Sequence, residues 1–211
     1  MSESQVANTE QESADKRLIS PAALEKLRTV LVSLFSQGLF HEVGIRDICT
    51  QAKVSPKTVY KYFGNKEQLL AACVEQDLQD LADLTAEKVE QAISIRDKVR
   101  AQVDVILGFY QQRPEVARMV FLNIPIAYWL QSASPAHFQH RQIGRDVYRL
   151  ALEQGLVRGD LRDDVISEMI AGGINRVISW CLYEGKADQL SDYAEDCFTY
   201  IWAAIEAQKP A

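Results

Sequence analysis

The spacing of hydrophobic positions along the chain predicts helices, the first of which begins near residue 20. Hydrophobic residues recur at intervals of three and four positions from Leu24 to Phe35, which is the period of one helix face. Ser20 before Pro21 is a typical helix start, because serine caps the first turn and proline suits the first helical position. Gly38 is predicted to end this helix.

Two short helices separated by a tight turn are predicted next. Ile45, Ile48 and Ala52 lie on one side of an amphipathic helix of about two turns. A second helix begins at Pro56 with Ser55 as its cap, and a Gly-Asn pair at 64–65 ends it near residue 63. Two short helices joined in this way are the helix-turn-helix arrangement.

The rest of the chain is also predicted to be helical. No segment shows the period-two alternation of a strand between hairpin turns. Proline and glycine positions separate the helical stretches. The predicted stretches are 66–89, 95–112, 114–122, 125–131, 135–154, 164–184 and 190–207. The fold class is therefore predicted to be all-α, with about nine helices.

Charge is distributed unevenly within the total of -6. Residues 16–70 carry nine basic and four acidic side chains, a net charge of +5, whereas residues 71–211 carry a net charge of -7. A basic module followed by an acidic body is expected when one end of a protein meets phosphate, although a basic face is more often plain solvated surface. Residues 1–17 are polar and are predicted to be a disordered tail.

Several classes of protein find no support in the sequence. No uninterrupted apolar run approaches the roughly 18 residues of a membrane span, and the N-terminus lacks an apolar signal region, so a cytoplasmic protein is expected. No motif of a hydrolase, metalloprotease or nucleotide-binding enzyme is present, and neither an enzyme nor a cofactor is expected. His137 and His140 are three residues apart but have no third ligand nearby, so no metal is expected. Four scattered cysteines are expected to be buried, reduced thiols: Cys49, Cys73, Cys181 and Cys197.

The second helix of the helix-turn-helix has two chemically different sides. At 100° per residue, Val59 and Phe63 point together towards the preceding helices. Ammonium groups on the other side can neutralise phosphates, and hydroxyl groups can bond phosphates or base edges. A surface helical hairpin with a solvated basic face explains the periodicity equally well. The outward residues are Lys57, Thr58, Tyr60 and Lys61.

Residues 44–70, GIRDICTQAKVSPKTVYKYFGNKEQLL, closely resemble the signature of the tetracycline-repressor (TetR/AcrR) family. The stretches 34–35 and 38–40 are similar to the end of the family's first helix, and 155–161 is similar to a loop common in the family. The resemblance covers residues 22–70 well and the remainder through length and helix number. The matching elements are Ile45-Arg46-Asp47-Ile48, Val54-Ser55, Thr58-Val59-Tyr60, Tyr62-Phe63, and Lys66-Glu67 leading into Leu69-Leu70.

Two positions depart from the family pattern. Lys53 stands in the turn where the family usually has glycine, so a lysine would hold a positive φ at some cost or the turn is remodelled. Gly44 stands where the family often has threonine or serine, which removes a cap hydroxyl that often contacts phosphate. No DNA contact is therefore expected at Gly44.

The resemblance implies a DNA-binding role for 18–65 and an effector-binding and dimerisation role for 66–211. Hydroxyl and cationic groups would bond phosphates, Lys57 and Thr58 would lie nearest the base edges, and Lys61 would lie at the groove wall. One such module makes too few contacts for useful specificity, so a homodimer on a palindromic operator is expected. The implied DNA-binding residues are Arg46, Ser55, Lys57, Thr58, Tyr60, Lys61, Tyr62 and Lys66.

Two apolar stripes in the last helices are candidates for the dimer interface, since the family dimerises through its last two helices. Packing within one chain is the alternative for both stripes. The adjacent Gly172 and Gly173 are costly inside a helix. Close approach of a second helix, from the same chain or from another, would explain them. The candidate residues are Ile166, Ile170, Ile174, Ile178, Phe198, Ile201 and Ile205.

The middle of the chain is rich in aromatic residues, and the family uses this region as a cavity for small, often hydrophobic effectors. Plain core packing is the alternative for each aromatic residue. Polar residues among the apolar ones are stronger indicators, because buried polar groups need partners. The candidate effector-binding residues are Tyr110, Phe121, Asn123, Tyr128, Trp129, His137, Asn175 and Trp180.

These observations predict a sequence-specific DNA-binding transcription regulator, a homodimeric repressor that a small hydrophobic effector releases from its operator. Such a release requires the effector to prefer a conformation in which the DNA-reading helices are misplaced. One alternative is a DNA-binding regulator without a small-molecule effector, such as an activator or a nucleoid or division factor. A helical enzyme or an interaction module is a further alternative.

Overall fold

The computed structural model describes residues 19–35, 42–131 and 134–207. The predicted tail over 1–17, the predicted helix end at Gly38 and the histidine His41 lie outside the described residues. The described residues divide into two compact units, one ending at Cys73 and the other beginning at Val74. The sequence placed the domain boundary between 65 and 66, whereas this division falls inside a helix that begins at Lys66.

The first unit is built from three short helices and the beginning of a fourth. These helices are α1 (Pro21–Phe35), α2 (Ile45–Ala52), α3 (Pro56–Phe63) and α4 (Lys66–Gln91). Each contributes fully buried side chains, among them Leu31 from α1, Ile48 from α2, Val59 from α3 and Leu69 from α4. Burial of one face of each helix is the main stabilising term for so small a unit.

The second unit contains the remainder of α4 and the following helices. Helix caps match the predicted starts: the Ser94 hydroxyl accepts the Asp97 N–H at 3.0 Å, and the Ser134 hydroxyl accepts the His137 N–H at 3.1 Å. These elements are α5 (Ile95–Gln112), α6 (Pro114–Arg118), a π-helical turn (Met119–Asn123), α7 (Ile126–Gln131), α8 (Pro135–Glu153), α9 (Asp163–Tyr183), a 3₁₀ helix (Ala187–Tyr193) and α10 (Ala194–Ile205).

Helix α5 lies at the centre of the second unit and packs against α8, α10 and the 3₁₀ helix. Its Leu107 and Tyr110 are almost completely buried. Within residues 19–35, 42–131 and 134–207 there is no strand, and the one extended pairing is an isolated bridge in which the Arg158 N–H donates to the Ile205 carbonyl at 2.8 Å. The all-α prediction is confirmed.

Two predicted helices differ from the structure. The stretch 114–122 changes to π-helical geometry at Met119, where the Ile124 N–H donates to the Met119 carbonyl at 2.9 Å. The stretch 190–207 becomes α-helical only at Ala194. There the Gln111 side chain accepts the Ser191 N–H at 2.7 Å, so this N–H does not join a regular α-helical ladder.

The four cysteines are free thiols. Three of them are buried and Cys197 is half-buried, close to the sequence expectation. Burial raises the pKa of the Cys73 thiol to about 12, so this thiol is protonated at neutral pH and is a poor nucleophile.

Candidate nucleic-acid interface and candidate ligand cavity

The start of α2 is capped without a side-chain hydroxyl. The Asp47 carboxylate reaches back and accepts the N–H of Gly44 at 3.1 Å, while the Gly44 carbonyl accepts the first helical N–H groups. The departure from the family pattern at Gly44 therefore removes a cap hydroxyl and leaves the helix start intact. Arg46, in the first turn, is exposed.

The turn between α2 and α3 holds Lys53 in the left-handed region, with φ 53° and ψ 40°. It is the one non-glycine residue with a positive φ in the described parts of the chain. The following N–H, of Val54, returns to the Cys49 carbonyl at 3.1 Å, which closes the end of α2. The turn therefore keeps the geometry that suits glycine, at a cost of about 1–2 kcal/mol for a residue with a Cβ.

Helix α3 is fixed at both ends and on its inner side. The Ser55 hydroxyl accepts the Thr58 N–H at 3.1 Å, and Pro56 occupies the first helical position. Val59 is fully buried and Phe63 is 8% exposed, as the helical angles predict. Gly64 ends the helix at φ 77°, where its N–H donates to the Tyr60 carbonyl.

The outward side of α3 carries the predicted DNA-binding residues. Lys57 and Lys61 are exposed, and 55% of the Tyr60 surface is exposed. Thr58 is half-buried, with its hydroxyl 2.8 Å from the Ser55 hydroxyl. These residues form one surface of cationic and hydroxyl groups, which we call the α3 surface: Ser55, Lys57, Thr58, Tyr60, Lys61 and Tyr62.

Lys61 and Lys66, both predicted DNA-binding residues, have partners within this unit. The Lys61 ammonium lies 4.8 Å from the centre of the Tyr62 ring and 3.4 Å from its hydroxyl. The Lys66 ammonium donates to the Val43 carbonyl at 2.7 Å, and burial lowers the pKa of Lys66. Lys66 therefore ties the start of α4 to the segment before α2, a positioning role that the sequence did not indicate.

The second unit contains a cavity of about 700 Å³ that is partly open to solvent. Residues from α4, α5, α8, α9 and α10 line it, together with residues from the π-helical turn and α7. Most of the wall is apolar, with Leu81, Val103 and Ile174 among its residues. This size and character are typical of sites for small organic molecules, which range over roughly 300–1,000 Å³.

Five of the eight predicted effector-binding residues line this cavity: Tyr110, Phe121, Trp129, His137 and Asn175. The other three lie elsewhere. Asn123 is buried in the π-helical turn, with its amide NH₂ on the Arg118 carbonyl at 3.0 Å.

The two remaining aromatic residues do not line the cavity and instead pack against neighbouring rings. The Tyr128 ring packs edge-on against Trp129 at 5.3 Å between centroids. The Trp180 ring packs against Tyr193 at 5.6 Å and lies beneath the Lys186 ammonium at 4.6 Å. Tyr128 and Trp180 are thus explained by packing, the alternative that the sequence left open.

The sequence did not indicate that Arg141, Arg145 and Glu168 would lie in the cavity wall. Arg141 and Arg145 of α8 line the cavity beside Glu168 of α9. Arg141 pairs directly with the Glu168 carboxylate, and an Arg145 Nη atom lies 3.8 Å from the same oxygen. The spacing of His137, Arg141 and Arg145 at i, i+4 and i+8 is a helical face, and this signal could have identified them.

Both histidines of α8 are uncharged at neutral pH. Burial and the Arg141 charge lower the pKa of His137 to about 4. Burial and the neighbouring His137 lower the pKa of His140 to about 4. Among the described residues, no group of three or more His, Cys, Asp or Glu side chains is placed to hold a metal.

The apolar stripes predicted for the dimer interface are mostly core. Six of the seven residues are no more than 8% exposed, and Ile170 is half-buried against the cavity, so the chain's own residues already cover them. The stripe prediction is corrected to its alternative, packing within one chain. The buried six are Ile166, Ile174, Ile178, Phe198, Ile201 and Ile205.

A different face of the last helices is exposed. Met169 is 64% exposed, Tyr183 84% and Tyr200 73%. A Cβ built on Gly172 or Gly173 would meet nothing within 4 Å, so no helix of the described chain approaches these glycines. The crossing within one chain that could have explained the glycine pair is absent from the described residues.

The first unit therefore has the helix-turn-helix arrangement: helix α2, a tight turn at Lys53, and the capped, cation-bearing helix α3. Residues 29–73 match the family described as "Bacterial regulatory proteins, tetR family". The match to this family thus covers 45 of the 211 residues, all within the first unit.

Two curated relatives match this chain over part of their length. The HTH-type transcriptional regulator BetI of Rhizobium meliloti is 32% identical over 108 residues, 51% of this chain and 46% of BetI. The HTH-type transcriptional activator FasR of Mycolicibacterium smegmatis is 24% identical over 84 residues, 40% of this chain and 38% of FasR. The matches thus span less than half the length of each relative.

Solved structures extend the likeness to most of the chain. The transcriptional regulator FadR from Bacillus subtilis, in complex with stearoyl-CoA, superposes with a TM-score of 0.67 at 15% identity, covering 86% of this chain and 99% of FadR. At this identity the likeness shows the fold. The family and these relatives are regulators of transcription, a class distinct from enzymes.

Proposed function

We propose that this protein is a transcription regulator that binds DNA through the α3 surface. The observation that carries the proposal is the two-sided α3 helix, with Val59 and Phe63 buried and Lys57, Tyr60 and Lys61 presented to solvent. Exposed ammonium and hydroxyl groups beside a capped helix start suit phosphates and base edges. The surplus of basic residues over 16–70 in an otherwise acidic chain favours the same partner.

Individual roles follow from position. Arg46, Tyr60, Tyr62 and Lys66 are proposed phosphate ligands, and Lys57 and Thr58 are proposed to lie nearest the bases. The Lys66 ammonium already bonds the Val43 carbonyl, so its first effect is to hold the start of α4 in place. The Ser55–Thr58 hydroxyl pair, 2.8 Å apart, fixes the orientation of the Thr58 side chain.

We propose that two copies associate through the exposed face of α9 and α10. Asp163–Tyr183 is apolar and long enough to cross a membrane by length and composition alone, yet only 28% of its most apolar window is buried. The glycine pair leaves room for another helix, and Met169 and Tyr183 offer apolar surface. Two helix faces that pack against their counterparts in a second copy would bury these exposed side chains.

The dimer is tested by sedimentation of Tyr183→Asp against Ile93→Asp as a matched control. Tyr183 is 84% exposed within the proposed interface, and Ile93 is 97% exposed in the loop between α4 and α5. We expect Tyr183→Asp to shift the protein towards monomer and Ile93→Asp to leave it dimeric. A wild-type monomer, or a protein recovered with membranes, would contradict the proposal.

The regulator is proposed to be a repressor that a small, largely hydrophobic molecule releases from DNA by occupying the cavity. Leu78 and Leu81 of α4 line the cavity, and the same helix begins in the DNA-binding unit, so α4 is the proposed coupling element. The ligand must favour one conformation of the protein, and typical couplings of about 1–3 kcal/mol change DNA affinity 5- to 150-fold.

Selection of bound sequences from a random DNA pool tests the function. We expect a palindrome whose half-sites lie about one helical turn, or a multiple of it, apart. Mapping the sequence to the genome, followed by deletion of the gene, should raise transcription beside the site if the protein represses. A single unrepeated half-site, or changes scattered over many loci, would contradict this model and favour the regulator without an effector.

A further inference from the structure

The charged residues that line the cavity are three arginines and one glutamate: Arg141, Arg145, Arg176 and Glu168. This surplus of positive charge contrasts with residues 71–211 as a whole, which carry a net charge of -7. The side chains of Arg141 and Arg145 are 27% and 38% exposed, so their charges are partly desolvated and an anion in this mostly apolar cavity would compensate them. The cavity is therefore suited to a negatively charged ligand.

Glu168 occupies the place that a ligand's anionic group would take. Arg141 bonds it directly and Arg145 lies 3.8 Å away, so one carboxylate serves two guanidinium groups. Burial, and to a smaller extent the charge of Arg145, lower the pKa of Arg141, and the two guanidinium groups share one carboxylate. A second carboxylate would give each arginine a partner.

The rest of the cavity selects against a small inorganic anion. Its walls include Leu78, Val103, Ile106 and Phe121, which have no polar group to offer. Such a surface binds hydrocarbon by the hydrophobic effect. The neutral His137 and His140 add hydrogen-bonding groups near the arginines without adding charge at neutral pH.

An apolar rim lies beside the arginines. Ile126 and Leu130 of α7 line the cavity, yet they are 64% and 63% exposed. Phe138, on α8, is also 64% exposed and borders a smaller depression that Arg141 and Arg145 share with the main cavity. A molecule with both an apolar chain and a charged head matches this juxtaposition.

We propose that the cavity binds a long-chain carboxylate, whose head group replaces Glu168 on Arg141 and Arg145 and whose chain lies along the apolar walls. This proposal rests on the proposed effector response and specifies the chemical class of the effector. Binding breaks the Glu168 ion pairs and turns the Glu168 carboxylate, which is already half-exposed, to solvent.

The first test compares ligands that share a chain and differ in the head group. Palmitate, hexadecanol and palmitoyl-CoA are titrated into the full-length protein below their aggregation concentrations, and fluorescence of Trp129 in the cavity wall reports binding. We expect palmitate to bind about 10- to 100-fold tighter than the alcohol, the range of one or two charge-assisted hydrogen bonds. Equal affinity of acid and alcohol, or binding of the CoA ester alone, would overturn the carboxylate assignment.

Variants test the residues. Arg141→Gln combined with Arg145→Gln should remove the preference for palmitate and leave hexadecanol binding unchanged. Glu168→Gln should raise palmitate affinity severalfold, because the internal competitor loses its charge. Arg149→Gln is the matched control, since Arg149 is on the same helix, 61% exposed and outside the lining. If Arg149→Gln lowers palmitate affinity as much as the double variant, the site is elsewhere.

Operator binding separates this proposal from the broader one. In one outcome, the protein binds its selected DNA, and an uncharged compound releases the protein while palmitate does not. The proposed regulatory function is then supported and the proposed carboxylate site is wrong. In the other outcome, palmitate binds through Arg141 and Arg145 but the protein binds no DNA. The proposed carboxylate site is then supported and the proposed regulatory function is wrong.

Discussion

The α3 surface and the cavity both use cations, but in opposite surroundings. Lys57 and Lys61 extend from an exposed helix into water. Arg141 and Arg145 line a partly open cavity with mostly apolar walls. Exposed charges remain hydrated and are screened by salt, which suits a polyanion that is contacted at many points. Partly desolvated charges interact strongly with one anion at short range, which suits selection of a single small ligand.

The two sites also differ in how the chain assembles them. Arg46 to Lys66 supply the first site within three consecutive helices of one small unit. The cavity takes residues from Leu78 to Ile205 and depends on the packing of the whole second unit. We therefore expect damage to the core of one unit to affect its own site first.

The largest effect expected is from Leu31→Ala, which removes a fully buried side chain of α1. Core truncations of leucine cost about 2–5 kcal/mol, and a unit this small has little stability to lose. All three tryptophans, Trp129, Trp180 and Trp202, lie in the second unit, so their fluorescence reports that unit during urea unfolding. Circular dichroism should show that part of the helix content is lost at a lower urea concentration than in the wild-type protein. The urea concentration of the fluorescence transition should not change.

Thr29→Ala is the control for this variant, because Thr29 is exposed on the same helix. It should leave both transitions unchanged. Equal displacement of the circular-dichroism and fluorescence transitions by Leu31→Ala would show that the two units unfold as one.

A smaller effect is expected when the pH is lowered, and it should act on the second unit, which contains both His137 and His140. His137 and His140 have pKa values of about 4 in the folded protein, below the ordinary value of 6.5, so the unfolded chain binds more protons between these values. Their contribution to stability is therefore complete above pH 6.5 and is lost as the pH falls towards 4. We expect on the order of 2 kcal/mol per histidine between pH 7 and pH 5, measured by tryptophan fluorescence in urea.

The double variant His137→Gln, His140→Gln isolates this effect from the titration of carboxylates. Its free energy of unfolding should change less between pH 7 and pH 5 than that of the wild-type protein. Identical pH dependence in the two proteins would mean that the histidines are not buried as the structure describes.

The smallest effect concerns the turn before α3. Lys53→Gly relieves a positive φ in a residue with a Cβ and should stabilise the first unit by about 1 kcal/mol, whereas Lys53→Ala should leave it nearly unchanged. Thermal unfolding by circular dichroism measures both. A destabilised glycine variant would show that the lysine side chain, rather than the backbone angle, matters there.

Local patterns explain why the first unit was largely predictable. Ser55, Pro56 and Gly64 mark helix ends through chemistry that acts within a few residues, and the bounds of α2 and α3 match the predicted ones. The positive φ at Lys53 was predictable because the family usually has glycine at this turn position. The bond from Lys66 to the Val43 carbonyl joins residues 23 positions apart, and no periodicity contains it.

Long-range packing limited the prediction of the second unit. Apolar spacing identified Ile174 and Ile178 as one helix face, but the same spacing serves a core and a dimer interface. Trp180 and Tyr128 are aromatic residues in the expected region, yet packing directs them away from the cavity. The pairing of Arg141 with Glu168 requires α8 and α9 to lie side by side, which the sequence does not encode locally.

The central claim, that the α3 surface binds DNA, is tested most directly by operator affinity at several salt concentrations. The variant is Lys57→Ala with Tyr60→Ala, and the control is Lys26→Ala, an exposed lysine on α1. We predict that the double variant loses about 100-fold or more in affinity, and that loss of the Lys57 charge lowers the salt dependence by about one, whereas loss of the uncharged Tyr60 hydroxyl leaves the salt dependence unchanged. The control should bind as the wild-type protein does. Unchanged affinity and salt dependence in the double variant would contradict the account.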